Sequence, residues 1–455
     1  MPRHHLTNPA KYLAEHHKGS IRCLSHFRVV EHTARCQHTR DRPAAAELSK
    51  DHALQLAVKQ YIPKNNSRPG PNDVTLIGAH ANAFPKEIYE PFWDDVYECL
   101  EKQGRKIRSV WIADQYNQGQ SGVVNEKLLG NDPGWWDHGR DLLSLINQFQ
   151  DDISHPIIGI GHSMGGLHLA HLSLMHPRLL DALVLIDPVI QIPNPSRVYA
   201  LASTYRRDLW PSRADAAASF ANSKFYQKWD PRVLQSWIDY GLRELPTEQY
   251  TDEQTSNGAV PVTLTTTKAQ EVYNFLRPAY HEERMLEAPS QQDEMHPEDI
   301  DDFLMYRPEP PIIFRDLERL RPSTMYIFGE TSELSTVSLR KAKMDMTGVG
   351  LGGSGGKGKG QVEEVALDCG HLVPMEKPKE CAATVAVFVD KKLQEFEVLS
   401  RRRQAVWSRL TRKDRVGIND QWREHIGPPP QRARKSSDKL QQNGKSRDVA
   451  ISNPS

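Results

Sequence analysis

Residues 157–166 read Ile-Ile-Gly-Ile-Gly-His-Ser-Met-Gly-Gly and decide the fold of this chain. An apolar run typical of a buried strand leads into a G-x-S-x-G turn, and a small-residue helix is predicted at 166–175. A side chain at Gly161 or Gly165 would clash in so tight a turn, which holds Ser163 in a strained conformation with its hydroxyl above the sheet. A serine in this context is typical of a catalytic nucleophile; the alternative is a serine in a purely structural turn.

Strand and helix patterns alternate on both sides of this turn. Short apolar or alternating runs predict eight strands, at residues 21–36, 53–62, 74–78, 107–113, 156–161, 182–186, 324–328 and 362–367. Helical spacing of apolar residues predicts helices at residues 88–101, 141–149, 166–175 and 381–399. Because strands that alternate with helices form parallel sheets, the sequence predicts an α/β fold with a mostly parallel sheet and helices on both of its faces.

The alternation stops between the sixth and seventh predicted strands. Amphipathic helical pieces and a stretch rich in Pro and acidic residues fill this interval. We therefore expect a helical cap at residues 191–311, inserted into a core formed by residues 21–190 and 312–400. Aromatic residues between Tyr199 and Trp237 predict an apolar cavity under the cap; the alternative is that they form the core of the cap itself.

The ends of the chain and one internal loop have biased compositions. Residues 1–20 are expected to form a flexible leader, and the Gly- and Lys-rich residues 348–360 a mobile loop. Residues 401–455 hold fourteen Lys and Arg against five Asp and Glu and are interpreted as a basic, disordered tail. A tail that recruits an acidic partner or a membrane surface is the alternative.

The overall composition argues against several classes of function. The 58 Lys and Arg balance 58 Asp and Glu, so no net field attracts nucleic acid. No apolar run approaches the roughly 18 residues of a membrane span, and no apolar secretory signal is present, so an intracellular protein without a transmembrane segment is expected. The five cysteines lack metal-ligand spacing, which argues against a disulfide framework and a zinc site. We expect no metal and no cofactor.

A nucleophilic serine needs a base and an acid that orients the base. His371 follows the last predicted strand and a glycine, the usual place of the base in such a fold; its alternative role is to cap a loop. The acid has two candidates. Three residues after Gly329, where a carboxylate is commonly expected, the chain has Ser332, with Glu333 beside it. The absence of a carboxylate at position 332 favours Asp187, which directly follows the sixth strand. Glu333 is the reserve candidate.

Two backbone N–H groups are needed to stabilise the oxyanion of a tetrahedral intermediate. One is expected from Met164, the residue after the nucleophile. His80-Ala81-Asn82 follows the third predicted strand and resembles the H-G-x form of oxyanion loops, so the second donor is expected to be the amide of Asn82. Asp114 is interpreted as structural, because many such sheets stabilise this turn with Asp and Gly.

Together these motifs resemble the α/β-hydrolase superfamily. Residues 78–87, 89–91, 113–121 and 352–356 are more narrowly similar to a fungal group. That group includes the acyl-CoA hydrolase of mycophenolic acid biosynthesis, hydrolases of host-selective toxin pathways and peroxisomal lipase-like enzymes. The resemblance implies an eight-stranded α/β-hydrolase fold and hydrolysis of acyl thioesters or esters, often in secondary metabolism. It also implies Asp187 as the triad acid, because in that group the acid follows strand six.

The resemblance further implies a peroxisomal or cytosolic location and allows a homodimer. Two departures from the group stand out. Ala83 occupies a position where the group usually has Gly, which adds a methyl group beside the oxyanion loop. The sequence ends in Ile-Ser-Asn-Pro-Ser at residues 451–455 rather than in a tripeptide like S-K-L, which argues against peroxisomal import by the C-terminal route.

The favoured interpretation is a serine hydrolase that acts on a small-molecule acyl ester or thioester through an acyl-enzyme. Ser163 attacks the carbonyl, His371 is the base and Asp187 is the orienting acid. A carboxylester lipase or general esterase is the alternative among enzymes, because one oxyanion hole serves both bonds. Serine in place of aspartate at the turn argues against epoxide hydrolase and dehalogenase chemistry. From another class, the alternative is a ligand-binding protein that kept the fold without catalysis.

Overall fold

The computed structural model describes residues 26–47, 50–192, 196–250, 260–278 and 305–428. The leader predicted at residues 1–20 and residues 429–455 of the predicted tail lie outside this part of the chain. The chain forms two compact units, Met1–Phe396 and Glu397–Ser455, and the first contains the central sheet.

An eight-stranded sheet organises the first unit. Its strands are β1 (Phe27–Arg35), β2 (Gln55–Pro63), β3 (Val74–Ala79), β4 (Ile107–Ala113), β5 (Ile157–His162), β6 (Ala182–Ile186), β7 (Ser323–Gly329) and β8 (Val362–Leu367). In space they follow the order β1-β2-β4-β3-β5-β6-β7-β8. β2 is antiparallel to both of its neighbours, and the remaining neighbouring pairs are parallel. The predicted fold class is confirmed.

Helices connect these strands and fill the inserted segment. They are α1 (Glu90–Lys102), α2 (Gly119–Val124), α3 (Trp136–Gln148), α4 (Met164–Met175), α5 (Ser196–Tyr205), α6 (Arg213–Ala221), α7 (Pro231–Tyr240), α8 (Lys268–Phe275), α9 (Glu309–Asp316), α10 (Val337–Met346), α11 (Val373–Glu376), α12 (Pro378–Arg409), α13 (Arg412–Val416) and α14 (Asp420–Ile426). No helix among the described residues is both long enough and apolar enough to cross a membrane.

Successive strand residues enter two separate apolar cores, one on each face of the sheet. Leu76 of β3 belongs to the same core as Val96 of α1, whereas its neighbour Ile77 belongs to the core that contains Leu142 of α3 and Leu167 of α4. Because both faces of the central parallel strands β3, β5 and β6 are buried, these strands have mostly apolar sequences rather than alternating ones.

The segment inserted between β6 and β7 contains helices α5 to α9 and two small sheets. Leu209–Trp210, Val262–Leu264 and Leu242–Glu244 form an antiparallel three-stranded sheet in that spatial order, and Arg277–Pro278 pairs with Met305–Tyr306. The sequence predicts a helical cap here and does not reveal these strands. Strands of two or three residues are too short to show an alternating pattern.

The Gly- and Lys-rich segment 348–360, expected to be a mobile loop, is held by backbone hydrogen bonds. The N–H of Gly348 donates to the carbonyl of Leu317 at 2.8 Å, and the N–H of Ser354 donates to that of Leu320 at 3.0 Å. Gly348 and several of the following glycines have positive φ values. The glycines therefore permit a tight, hydrogen-bonded path that side chains would strain.

The last predicted helix is longer than its sequence pattern indicates. It is predicted at residues 381–399, whereas α12 spans Pro378–Arg409 and is followed by α13 and α14. The described part of the predicted basic tail is thus largely helical. Composition does not reveal this, because Arg and Lys are common in disordered tails and also have high helix propensities.

Candidate active site

Ser163 lies on the turn between β5 and α4. It has a φ of 57° and a ψ of −119°, a combination that side chains rarely adopt. Glycines on either side make the turn possible. A Cβ added to Gly161 would lie 2.5 Å from the carbonyl oxygen of Gly165, and one added to Gly165 would lie 2.2 Å from that of Ala79. Backbone packing therefore fixes Ser163 at the carboxyl end of a central parallel strand.

The structure brings Ser163, His371 and Asp187 into one hydrogen-bonded chain. His371 Nε2 lies 2.8 Å from Ser163 Oγ, and His371 Nδ1 lies 2.7 Å from Asp187 Oδ2. A carboxylate can only accept, so Nδ1 carries the proton that it donates to Asp187. Nε2 is then the basic nitrogen, and it faces the serine hydroxyl.

Asp187 is fully buried at the end of β6 and accepts several hydrogen bonds. In addition to His371, the backbone N–H of Gly329 donates to it at 3.3 Å, the hydroxyl of Ser332 donates at 2.5 Å, and that of Ser335 also donates. Burial alone would raise the pKa of Asp187, but His371 and the two hydroxyls favour the charged form more strongly and lower this pKa. The carboxylate therefore stays ionised beside the imidazole.

Ser332 and Glu333 explain how the site differs from the more common position of the acid. Ser332 stands where a carboxylate is commonly expected, and its hydroxyl donates to the acid supplied by Asp187. Glu333 begins a short 3-10 turn and is exposed. The structure thus places Asp187, and not the reserve candidate, at the imidazole.

The oxyanion loop after β3 leaves one of three successive amides available. The N–H of Ala81 donates to the Tyr89 hydroxyl at 2.9 Å, and the N–H of Ala83 donates to Gln118 Oε1 at 2.8 Å. Between them, the N–H of Asn82 finds no acceptor among the described residues. A free, oriented amide at this position is what an oxyanion donor requires.

Met164 is the first residue of α4, and its N–H likewise finds no acceptor in the described part of the chain. Met164 and Asn82 both line the cavity that contains Ser163 and His371. The two predicted oxyanion donors therefore lie beside the serine and are not occupied by other groups of the protein.

Ala83 has a φ of 69°, in the left-handed region that favours glycine. Its side chain is buried and lines the same cavity. The departure noted in the sequence therefore has two effects. It narrows the cavity by one methyl group, and it places an alanine in a conformation that costs roughly 1–2 kcal/mol.

The cavity above Ser163 has a volume of about 480 Å³, within the range of sites that enclose a small molecule. The inserted segment supplies most of its aromatic wall, namely Tyr199, Trp210, Phe220, Phe225, Tyr226 and Phe275. Arg206 and Glu271 form an ion pair in the same wall. Other aromatic residues of the segment, such as Trp237, are buried in the apolar core instead, so both sequence-based interpretations of these residues hold in part.

His162, which precedes the nucleophile, links the base to the oxyanion loop. Its Nε2 lies 3.0 Å from the carbonyl oxygen of His371, and its Nδ1 lies 2.9 Å from the hydroxyl of Tyr89, which binds the N–H of Ala81. Burial, reinforced by the neighbouring His371, lowers the pKa of His162 to about 3. Sequence reasoning missed this neutral bridge, because its partners are distant along the chain.

Asp114 has the structural role that its turn predicts. It accepts hydrogen bonds from the backbone N–H of Lys86 at 2.8 Å, from the Lys86 ammonium at 2.7 Å and from the N–H of Gln120 at 2.8 Å. Gly119, with a φ of 50°, is required here because an added Cβ would lie 2.4 Å from Asp114 Cγ. Among the described residues, no three His, Cys, Asp or Glu side chains are placed to hold a metal ion.

Known proteins resemble this chain over most of its length. A type I acyl-CoA thioesterase, mpaH′, from Penicillium brevicompactum is 34% identical over 440 residues, which cover 91% of this chain and 98% of that protein. An abhydrolase domain-containing protein, ACTT2-2, from Alternaria alternata is 27% identical over 282 residues, which cover 60% of this chain and 98% of that protein.

Among solved structures, the peroxisomal α/β-hydrolase Lpx1 from Saccharomyces cerevisiae superposes with a TM-score of 0.61. It is 17% identical, and the match covers 93% of this chain and 100% of that chain, which supports the fold alone. The family model for alpha/beta hydrolases matches residues 76–384, from β3 into α12. The chain therefore belongs to the alpha/beta hydrolase family.

Proposed function

We propose that the protein is a serine hydrolase that cleaves acyl thioesters, with acyl thioesters of coenzyme A as its substrate class. One observation carries this proposal. The hydrogen-bonded chain of Asp187, His371 and Ser163 ends in a hydroxyl that opens onto a largely aromatic cavity. A serine hydroxyl is a weak nucleophile until a base accepts its proton, and the imidazole lies at hydrogen-bonding distance to do so.

In the first half of the reaction, Ser163 Oγ bonds to the carbonyl carbon while its proton passes to His371 Nε2. The carbonyl oxygen becomes an oxyanion that accepts hydrogen bonds from the N–H groups of Asn82 and Met164. Asp187 stays ionised and stabilises the imidazolium. The carbon–sulfur bond then breaks, and the imidazolium gives its proton to the departing thiolate, which leaves an acyl ester on Ser163.

In the second half, a water molecule attacks the acyl ester while His371 Nε2 takes one of its protons. The same two amides stabilise the second oxyanion. The bond to Ser163 Oγ breaks, the imidazolium returns the proton to that oxygen, and the carboxylic acid departs. Each half-reaction leaves the imidazole neutral, so one group serves as base and then as acid in both.

The thioester is favoured over the oxygen ester by likeness to a named relative. The Penicillium thioesterase aligns with 91% of this chain. The aromatic wall supports an apolar acyl group, because such a cavity excludes water and gains free energy from apolar contact. An esterase would use the same residues, so the distinction has to come from the leaving group.

The test pairs each acyl group with two leaving groups, coenzyme A and p-nitrophenol, and measures kcat/KM for both series. We expect faster cleavage of the thioesters by the wild type and no cleavage by Ser163→Ala. Ser173→Ala is the matched control, because Ser173 is also buried in α4 but does not line the cavity. A fluorophosphonate probe should label the wild type and Ser173→Ala but not Ser163→Ala.

Two results would contradict the proposal in different ways. Cleavage of p-nitrophenyl esters without cleavage of the matching thioesters would support an esterase. Folded wild-type protein that neither cleaves any member of the panel nor reacts with the fluorophosphonate would support a ligand-binding protein on this fold.

A further inference from the structure

The turn after β4, residues 114–121, reads Asp-Gln-Tyr-Asn-Gln-Gly-Gln-Ser and contains four side-chain carboxamides. We call it the amide-rich turn. Three of these carboxamides, Gln115, Asn117 and Gln118, are almost completely buried, although each is polar. Burial of an amide costs free energy unless its hydrogen bonds are made, so the partners of these groups indicate what the turn holds in place.

Gln118 holds the oxyanion loop at two points. Its Oε1 accepts the N–H of Ala83 at 2.8 Å, and its Nε2 donates to Asn82 Oδ1 at 2.6 Å. Ala83 sits at a φ of 69°, a conformation that persists only where surrounding contacts enforce it. On the other side, Tyr89 binds the N–H of Ala81. The peptide that carries the Asn82 N–H is thus fixed from both sides.

The same turn also holds α8, which forms part of the cavity wall. Asn117 Nδ2 donates to Gln270 Oε1 at 2.8 Å, and the N–H of Gly119 donates to Thr266 Oγ1 at 2.8 Å, just before α8 begins. A third bond joins α8 to the oxyanion loop directly, because Asn82 Nδ2 donates to the backbone carbonyl of Glu271 at 3.0 Å.

These contacts form a continuous path from the cavity wall to the oxyanion donor. Glu271 and Phe275 of α8 line the cavity, and the carbonyl of Glu271 binds the Asn82 side chain, which in turn binds Gln118. We propose that Gln118 is a positioning residue that aims the Asn82 N–H into the cavity by binding the Ala83 N–H and the Asn82 side chain. This proposal rests on the proposed serine hydrolase function.

The expected effect of replacing Gln118 depends on whether its contacts stabilise the bound substrate or the tetrahedral intermediate. An oxyanion exists only in the tetrahedral intermediates and the transition states that lead to them, so a misplaced donor lowers kcat more than it weakens substrate binding. Loss of a whole oxyanion donor lowers kcat by roughly 10²–10³-fold. The substitution Gln118→Leu keeps the Asn82 N–H but no longer holds it in position. We therefore expect it to lower kcat by roughly 10- to 100-fold, with KM changed by less than about threefold.

Two inhibitors separate this effect from a general loss of structure. A trifluoromethyl ketone with the acyl chain of the best substrate forms a hemiketal with Ser163, whose oxygen occupies the oxyanion site. A thioether of the same chain, with CH₂ in place of the carbonyl, fills the cavity but presents no oxyanion. We expect Gln118→Leu to weaken the ketone by the same factor as kcat and to leave the thioether within about twofold of wild type.

Two further variants complete the design. Gln118→Met loses both bonds but is uncharged and nearly as long as glutamine, so it should behave like Gln118→Leu and covers the case in which Gln118→Leu does not fold. Asn117→Leu is the matched control: it removes a buried bond from the same turn to α8 but touches no residue of the oxyanion loop. It should leave the ratio of the two inhibition constants at the wild-type value.

The outcomes are distinguishable. If the Gln118 variants bind both inhibitors as the wild type does, or if Asn117→Leu lowers the ketone's relative affinity as much as Gln118→Leu, the positioning role is wrong. A uniform loss for both inhibitors would also overturn it, because that pattern reports loosened packing alone. If the wild type binds the ketone no more tightly than the thioether and resists the fluorophosphonate, the proposed function itself fails.

Discussion

Replacing Asp187 with Asn removes the charge that orients His371 and changes little else in shape. The carboxylate now accepts the imidazole N–H at 2.7 Å and stays ionised in a fully buried site. An amide can donate from its NH₂ group to Nδ1. The imidazole then carries its proton on Nε2, which can no longer accept the proton of Ser163. The amide also has no charge to stabilise an imidazolium. Exchange of a triad acid for its amide lowers kcat by roughly 10⁴-fold, which corresponds to about 5.4 kcal/mol at 1.36 kcal/mol for each factor of ten.

The structure also predicts where this loss can be repaired. Ser332 Oγ lies 2.5 Å from the same Asp187 oxygen that accepts the imidazole N–H. A carboxylate at position 332 extends one bond farther than the serine hydroxyl, from a side chain that already contacts the oxygen bound by His371. We therefore expect the double variant Asp187→Asn, Ser332→Asp to regain roughly 10- to 100-fold of the lost kcat, because a charge within reach of Nδ1 restores the tautomer in part of the molecules.

The assay is kcat/KM on the best thioester of the panel, with thermal unfolding to show that each variant is folded. Glu333→Gln is the matched control: it also exchanges a carboxylate for an amide, but at an exposed position, so its activity should stay within about twofold of wild type. If Asp187→Asn kept a tenth or more of the activity while Glu333→Gln lost it, the acid would be misassigned. A double variant no better than Asp187→Asn would contradict the geometric argument for Ser332.

Three further predictions concern stability. Asp114→Ala removes the 2.7 Å partner of the buried Lys86 ammonium, which keeps its 2.9 Å ion pair with Glu87, and it leaves the N–H groups of Lys86 and Gln120 without their acceptor. It should lower the free energy of unfolding in urea by about 3–5 kcal/mol. Adding Lys86→Met should recover only a part of this loss, and a loss below about 1 kcal/mol in Asp114→Ala would refute the structural role. Ala83→Gly should raise the free energy of unfolding by up to about 1 kcal/mol, because relief of left-handed strain outweighs the greater freedom of glycine when unfolded; a decrease would count against strain at this residue. Burial, with the neighbouring His138, lowers the pKa of His168 well below its ordinary value of 6.5, so as the pH falls below 6.5 the unfolded chain binds a proton at this imidazole that the folded chain does not bind. The wild type should thus lose stability more steeply than His168→Leu as the pH falls below 6.5, by up to about 1.4 kcal/mol for each pH unit, and parallel stability curves would contradict this.

The central sheet could be predicted closely from the sequence. The strands predicted at residues 107–113, 182–186 and 362–367 have the bounds found in the structure. Ala182–Ile186 is a continuous apolar run, buried throughout and bounded by aspartates, so both of its ends are marked in the sequence. The edge strand Val362–Leu367 is only partly buried and contains two glutamates, and its ends are marked by the Gly-rich segment before it and by Asp368 after it. The small strands of the inserted segment give no such signal.

The candidate site was predictable to the extent that each residue is marked by its local sequence. Ser163 and His371 stand beside glycines after predicted strands, and the structure places them within hydrogen-bonding distance of one another. Asp187 is different, because an aspartate before a proline is also an ordinary turn residue. Only its contact with His371, which lies 184 positions away, distinguishes the two roles.

The hydrogen bonds around the oxyanion loop were not predictable. Gln118, Tyr89 and His162 are ordinary residues in the sequence, and nothing local says which carbonyl or amide each will meet. Their partners come from separate connections of the sheet, so the information lies in how the loops meet at its carboxyl edge. The same holds for the backbone of the Gly-rich segment 348–360, because composition alone does not distinguish a mobile loop from one held by backbone hydrogen bonds.

The position of His371 has a consequence for the order in which the chain matures on the ribosome. The imidazole is separated from the hydroxyl by 208 positions and from the carboxylate by 184, and it follows β8, whose one neighbour among the described strands is β7. A nascent chain can therefore display the first two groups while the third is still unsynthesised. Hydrolytic activity would begin only when this last strand pairs with the sheet, so the growing polypeptide could not hydrolyse acyl compounds during its synthesis.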